Sequence, residues 1–324
     1  MSQSLLLLST LPEDQKFAAE VAATAGLTLH SVTTPKEASE FIATDQATVI
    51  MADASNEAIY KAFEDEIQNS IGLFSDKINA NAIHFISSED IHRVDYIIGS
   101  PLFGHFIYRN YGDPSAAGKH YGRVVKASLQ ESAFGLELLM PEGSKIQTIS
   151  FRKTTQKAEA VEAVKKYLLA ARFKSRMAAV VANAVDELLM NAMFDAPVDE
   201  IGRQILASTP RDTEFDLVDK HQVQMKVGYD GKYVGVTAID YFGSLDKVKL
   251  MSHISKIYRD QEYRVRTSVA GAGIGLASVF RSGASFFFVS ESKERTEVTV
   301  FFKRTDNFKE FKEQFRFIST QFYF

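Results

Sequence analysis

Residues Ala270-Gly271-Ala272-Gly273-Ile274-Gly275-Leu276 place glycine at every second position. Such a run lets backbone N–H groups turn inward around an anion, because no side chain blocks the approach. The same spacing serves a tight structural turn, so the run alone decides neither. A second patch, Ala238-Ile239-Asp240-Tyr241-Phe242-Gly243, ends an apolar run on a carboxylate. There Asp240 can accept the exocyclic amine of adenine and reject guanine, which presents a carbonyl instead. A charge-assisted hydrogen bond of that kind is worth about 1.5–3 kcal/mol. An Asp that caps local N–H groups in a turn would read the same way. A third patch, Asn183, Glu187, Asn191 and Asp195, recurs every fourth residue and so shares one helical face. Taken as a face alone, it reads as solvated surface.

In this order the helix patch, the acid and the glycine run resemble the histidine-kinase-like ATP-binding domain (the Bergerat or GHKL fold). Sensor kinases, anti-sigma-factor serine kinases, gyrase and heat-shock chaperones share that domain. The resemblance covers about residues 130–304 and implies ATP and Mg²⁺ as cofactors. By it, Asn191 offers an amide oxygen to Mg²⁺, a hard ion that takes oxygen donors and keeps several waters. Glu187 acts as general base, Asp240 reads adenine, and Thr296 supports Asp240. Gly243, Gly271, Gly273, Gly275 and Leu276 contact the nucleotide, the last opening a helix whose N-terminus favours anions. Residues 244–270 form a lid carrying Lys247, Lys249, Lys256, Arg259, Arg264 and Arg266.

The chain also departs from the family pattern. Phe242 and Ser244 hold the glycine places of Asp-x-Gly-x-Gly, Phe194 replaces a basic residue often found there, and residues 197–220 are an insertion. Neither a Gly-Lys-Ser/Thr phosphate loop nor a GxGxxG dinucleotide turn after a strand is present.

None of the seven His is followed by Asp or Glu, so the phosphoacceptor pattern of a sensor histidine kinase is missing. Two readings of the ATP then stand first: a serine/threonine-type protein kinase acting on a signalling partner, or an ATP-dependent regulatory switch. The alternative is a protein-interaction scaffold with a vestigial site.

The N-terminal region supplies context. Asp53 ends an apolar strand-like run where a response-regulator receiver carries its phosphoacceptor, and Ser87 follows the fourth such run. The acidic pair expected after the first strand is replaced by Ser9-Thr10, with Glu13 and Asp14 only later, and the expected lysine is represented by Arg109. Without the acid pair Mg²⁺ is poorly held, and phosphoryl transfer depends on metal neutralising charge. The region reads as a divergent pseudo-receiver used for docking or dimerisation.

The elements that must position these residues follow from the apolar pattern. Residues 4–112 alternate short apolar runs with helical segments, the signature of βα units around a buried parallel sheet of flavodoxin-like type. Residues 113–129, with Pro114 and Gly118, read as a linker. Beyond it, 134–139 and 145–151 read as strands, 155–171 and 174–195 as helices, and 223–228 with 233–239 as a hairpin turning at Asp230-Gly231. Residues 285–290 and 296–302 read as another antiparallel pair. Phe308, Phe311 and Phe315 predict a C-terminal helical tail; its further apolar residues make a homodimer or partner contact a second reading. The expected organisation is therefore 1–112 pseudo-receiver, 113–129 linker and 130–324 ATP-binding α/β sandwich.

Composition sets the outer bounds. The 324 residues carry a net charge of −4 with Lys and Arg dispersed, which favours neither nucleic acid nor an anionic membrane. The absence of Cys removes disulfides, thiolate nucleophiles and Cys-ligated metals. Leu5-Leu6-Leu7-Leu8 is too short to span a bilayer and lacks the basic start of a signal peptide. The expectation is a soluble, cytoplasmic protein without membrane insertion.

Overall fold

The computed structural model describes residues 3–45, 47–71, 79–206, 208–251, 254, 279–280 and 282–323. The chain divides into two compact units. One comprises Met1–Ala133 with Phe315–Thr320, the other Phe134–Gln314 with Gln321–Phe324.

In the first unit, β1 (Ser4–Leu8), β2 (Thr28–Val32), β3 (Val49–Asp53), β4 (Ile83–Ser87) and β5 (His105–Tyr108) pair in parallel in the order β2-β1-β3-β4-β5. Leu5, Leu6 and Leu7 are fully buried, as expected for a strand covered on both faces. The covering helices are α1 (Pro12–Ala25), α2 (Pro35–Asp45), α3 (Glu57–Ile71), a single turn α4 (Asp95–Ile98) and α5 (Pro114–Ser128), with α1 against α5 and α2 against α3. Because β1 to β5 all run the same way, Asp53, Ser87 and Arg109 collect at their carboxyl ends.

The expected linker over 113–129 is corrected: it is α5, a core helix. Asp113 caps it by accepting from the N–H groups of Ser115 and Ala116, and Pro114 occupies the first turn, where no N–H is needed. Its glycines are packing devices. A Cβ on Gly118 would stand 2.6 Å from the Phe17 carbonyl oxygen, and one on Gly122 would stand 2.6 Å from Thr24 Cβ. The boundary between units accordingly falls after Ala133.

In the second unit, β6 (Lys145–Phe151), β7 (Val223–Tyr229), β8 (Tyr233–Asp240), β9 (Ser285–Glu291) and β10 (Arg295–Lys303) form an antiparallel array in the order β9-β10-β8-β7-β6. Asp230 fixes the β7–β8 turn by accepting from Lys232 and Tyr233 N–H groups. Residues 134–139, expected as a strand, instead hold a short helix α6 (Leu136–Leu139). Leu136 and Leu139 are both buried at helical spacing, and the Gly135 N–H donates to the Glu297 carboxylate rather than to a ladder.

Helices α7 (Gln156–Ala170) and α8 (Ser175–Met190) pack together, and α8 also packs on β8 and β10. Ser175–Asp195 is the one helix among the described residues long and apolar enough to cross a membrane, but Met177, Val181, Val185 and Leu189 are buried in this unit.

The expected helical tail is also corrected. A short helix α9 (Phe308–Lys312) is followed by strand β11 (Phe317–Tyr323), whose Phe317, Ile318 and Ser319 pair antiparallel with β5. Gln314 ends the helix by accepting from the Lys303 N–H and donating to the Phe311 carbonyl. Phe311, Phe315, Phe317, Ile318 and Phe322 are all buried within the chain. Of the apolar residues invoked for a dimer contact, Phe317, Ile318 and Phe322 are buried, Tyr323 is half-buried and Phe324 lies outside the described residues.

Candidate functional sites

Asp240 closes β8 and is 7% exposed. Its Oδ1 accepts from the Phe242 N–H at 3.0 Å, with the Gly243 N–H and the Thr296 hydroxyl also acting on it. Burial dominates over these donors and pushes its carboxyl up to about 7. The strand register explains the company it keeps: Asp240 lies opposite Thr296 on β10, and Thr296 lies opposite Ser290 on β9. The Ser290 and Thr296 hydroxyls approach to 3.4 Å. These three polar residues form a row across one sheet face. Strand alternation puts Phe302 on that same face, where it stacks on Phe311 of α9, which packs against α8. The buried acid and its threonine thus lie on the face covered by the helix that carries Glu187 and Asn191.

At the end of α8 the helix widens into a π-turn over Asn191–Asp195, closed by the Ala196 N–H donating to the Asn191 carbonyl at 2.8 Å. Such turns recur at functional sites. Ala196 in turn accepts from the Ser244 hydroxyl at 2.8 Å, which ties the helix end to the turn after β8. Glu187 and Asn191 are half-buried, and neither side chain has a hydrogen-bond partner among the described residues. Burial, then the neighbouring Asp186, raises the Glu187 carboxyl, while Lys157 and Arg211 pull the other way. Asn183 is exposed. Asp195 is engaged by Arg211 at 2.6 Å. That arginine comes from the insertion and also lies over the Phe194 ring, 5.2 Å from its centroid. Phe194 itself is buried against Phe215. Sequence reasoning singled out neither Arg211 nor Ser290; no local motif marks them, and only the register and the insertion's path reveal them.

Gly243 has a structural reason to be glycine. Its φ is +55°, and a Cβ there would stand 2.0 Å from the Glu291 carbonyl oxygen. It is therefore the point where the turn after β8 meets the β9–β10 turn. It also lines a cleft of about 650 Å³ with Phe242, Ser244 and Ser290. Glu187, Asn191, Asp240 and Thr296 do not line this cleft. Gly271, Gly273, Gly275 and Leu276, with Lys256, Arg259, Arg264 and Arg266 of the expected lid, lie outside the described residues. No group of three or more His, Asp or Glu suited to a metal occurs among the described residues. A single amide oxygen at Asn191 suits Mg²⁺ only as that ion is commonly held, with phosphate oxygens and waters supplying the rest of the shell.

The first unit holds a second constellation. The Arg109 guanidinium donates from Nε to Asp14 Oδ1 at 3.0 Å, from Nη2 to Asp14 Oδ2 at 2.9 Å and Asp53 Oδ1 at 2.8 Å, and from Nη1 to Ser55 Oγ at 2.5 Å. Ser9 and Tyr111 hydroxyls each donate to Asp14 at 2.7 Å. Asp14 is wholly buried, while the Arg109 and Asp53 side chains are 7% and 15% exposed. Burial works against the Arg109 charge, but Asp14 and then Asp53 more than offset it and the guanidinium is held still more firmly protonated. Asp53 also accepts from Ser55. Ser87 is buried beside this cluster in sequence order, but its hydroxyl accepts from the Glu89 N–H instead. Asp14, noted in the sequence only as an acid standing too late for the receiver's pair, is the acid that grips Arg109. Its signal was an acid in the first turn of a Pro-initiated helix directly after β1, a position that looks back onto the sheet's carboxyl end.

Comparison with known proteins finds no protein-family model that matches the chain and no curated protein significantly similar to it.

Proposed function

We propose that the second unit is a histidine-kinase-like ATP-binding domain and that the chain is a signalling protein controlled by nucleotide. The observation that carries this reading is the pairing of a buried carboxyl, raised by burial to about 7 despite its local donors, with a threonine at a strand end, Asp240 with Thr296. It lies on the sheet face covered by α8. A carboxyl buried with no cation partner among the described residues is costly, and a purine amine would add a further donor to those it has. Asn191 and Glu187, one helical turn apart and without a hydrogen-bond partner among the described residues, support the same reading as metal ligand and base. Mg²⁺, when bound with ATP, would neutralise phosphate charge. This chain's residues would orient the nucleotide: Asp240 and Thr296 at the base, Asn191 at the phosphates, Glu187 toward water or an acceptor hydroxyl.

The first unit is a pseudo-receiver in this proposal. Its strand order β2-β1-β3-β4-β5 is the flavodoxin-like order. Arg109 supplies as a fixed charge what a receiver obtains from a metal ion. That observation favours the regulatory switch, or a kinase acting on a partner, over phosphorelay through Asp53.

The test is calorimetric and thermal-shift titration of the full chain with Mg·ATP, Mg·ADP and Mg·GTP, in wild type and Asp240→Asn. Adenine preference that disappears in the variant supports the site. At about 100 times Kd, ligand adds about 2.7 kcal/mol of stability. Equal response to ATP and GTP, or none to either, would overturn the reading. Labelled ATP with candidate partners then separates kinase from switch.

A further inference from the structure

The cleft of about 650 Å³ in the second unit has a charge pattern that the purine reading does not use. Four lysines line it: Lys220, Lys247, Lys249 and Lys293. Three carboxylates do too, Asp199, Glu200 and Asp246, and two of them are already matched. Asp246 pairs with Lys249 at 3.3 Å, and Asp199 pairs with Arg203 at 2.8 Å. Setting those pairs aside leaves Lys220, Lys247 and Lys293 facing Glu200 alone.

The Lys220 ammonium gives one hydrogen bond to the Lys293 carbonyl at 3.2 Å, which ties that side chain to the Lys293 backbone. Lys247 is half-buried and makes no hydrogen bond or ion pair among the described residues, and burial lowers its pKa. An ammonium withdrawn from water without a partner is destabilising unless an anion joins it. Ser290 and Ser292 add neutral polar groups, and Phe242, Phe322 and Tyr323 add apolar wall. The volume falls in the range that holds a nucleotide-sized molecule.

From this we infer that the cleft is an anion site for a phosphorylated small molecule, with Lys247 at its centre and Lys220 and Lys293 on its rim. The chemistry is that of a polyphosphate or a sugar or nucleoside phosphate: several oxygens of high charge density, each able to take an ammonium N–H. The insertion acquires a role in consequence. Asp199, Glu200 and Gly202 line one side of the cleft, and Lys220 closes the same segment. The inference stands on the cleft and does not require Asp240 to read a purine.

The probe is inorganic tripolyphosphate, with ATP and AMP as further arms, titrated into the full-length chain by calorimetry. Tripolyphosphate is expected to bind, and raised ionic strength is expected to weaken it, because the rim charges are screened. Lys293→Met, at an exposed position, is expected to keep the wild-type melting temperature and to weaken binding about tenfold, the equivalent of one charge-assisted contact. The double variant Lys247→Met/Lys293→Met is expected to abolish it while its ligand-free melting temperature stays at or above that of wild type, since a buried unpaired charge is gone. Asp240→Asn is expected to leave tripolyphosphate binding unchanged. Loss of ATP-over-GTP preference in Asp240→Asn, with tripolyphosphate retained, would show that the purine acid and the lysine cleft act separately. Tight ATP binding with tripolyphosphate weak would assign the cleft to the nucleotide's own phosphates, with Lys293→Met then weakening ATP. Absence of tripolyphosphate and ATP binding, or affinity for both untouched by either lysine variant, would overturn the inference whatever Asp240 does.

Discussion

Arg109 Nη2 donates to Asp53 Oδ1 at 2.8 Å, from a guanidinium whose other edge is gripped by the fully buried Asp14. Three charges therefore share one pocket with a permanent cation in the middle. A carboxylate held this way is a poor nucleophile toward phosphorus, and no divalent ion is needed to keep two acids side by side. The first prediction is that acetyl phosphate with Mg²⁺ leaves the intact mass of the chain unchanged. An Asp53 phosphoadduct would contradict it. Arg109→Met is expected to destabilise the chain by about 3–5 kcal/mol in urea unfolding, because it strands two buried acids. Arg109→Lys keeps the charge but loses the planar fork and should fall between.

The Asp240 carboxyl is pushed up to about 7 by burial, against about 3.9 in an unfolded chain. A raised folded value means that the native state holds its proton longer than the unfolded state. The stability Asp240 contributes is present below about pH 3.9 and is lost as pH rises through about 7. Asp240→Asn removes that penalty, so the ligand-free variant should match or exceed wild-type melting at neutral pH and show a flatter profile between about pH 4 and 7. The purine amine prefers the charged carboxylate, so ATP affinity should tighten as pH rises through about 7. A pH-independent ATP Kd in wild type would remove Asp240 from the site.

His84 and His105, side by side on β4 and β5, stack with centroids 3.9 Å apart and ring planes 5° from parallel. His84 Nδ1 lies 2.7 Å from the Tyr121 hydroxyl, which also contacts Ser319 Oγ at 3.1 Å. Burial first, then the neighbouring His105, depresses His84 well below its ordinary value. For a histidine with a depressed folded value, the stabilisation is present above the unfolded pKa near 6.5 and lost as pH falls below it. Melting temperature should therefore drop on acidification from about pH 7 to 5. His84→Phe keeps a ring against His105 but cannot titrate, so its profile should be shallower. An identical slope would place the acid sensitivity elsewhere.

What the sequence made legible tracks how local the determining forces are. The parallel strands and the Asp230-Gly231 hairpin followed from unbroken apolar runs and one turn dipeptide, features that need no partner to be read. The α5 helix was not legible, because Pro114, Gly118 and Gly122 look like loop until α1 is known to press within 2.6 Å of where side chains would be. β11 was missed for a related reason: three phenylalanines at helical spacing persist one turn past Lys312, and only pairing with β5 selects the extended form. In the site, Asp240 and Thr296 could be named from motif order, and their adjacency follows from an antiparallel register. Asp14 needed the fold, since its partner Arg109 stands 95 positions away.

Gly243 offers a way to separate packing from ligand contact. At φ +55° a Cβ would stand 2.0 Å from the Glu291 carbonyl oxygen and 2.7 Å from the Lys293 and Glu294 backbone nitrogens, none of which can move without opening the β9–β10 turn. Gly231, in the β7–β8 hairpin, also has positive φ, but a Cβ there meets nothing within 4 Å. Gly231→Ala should therefore cost only the backbone strain, about 1 kcal/mol. Gly243→Ala carries the same kind of strain together with the clash, and should cost at least about 2 kcal/mol more. It should also weaken tripolyphosphate, because the displaced turn carries Lys293. Chemical denaturation of the two variants side by side measures the difference; equal losses would mean that the two turns do not meet at Gly243.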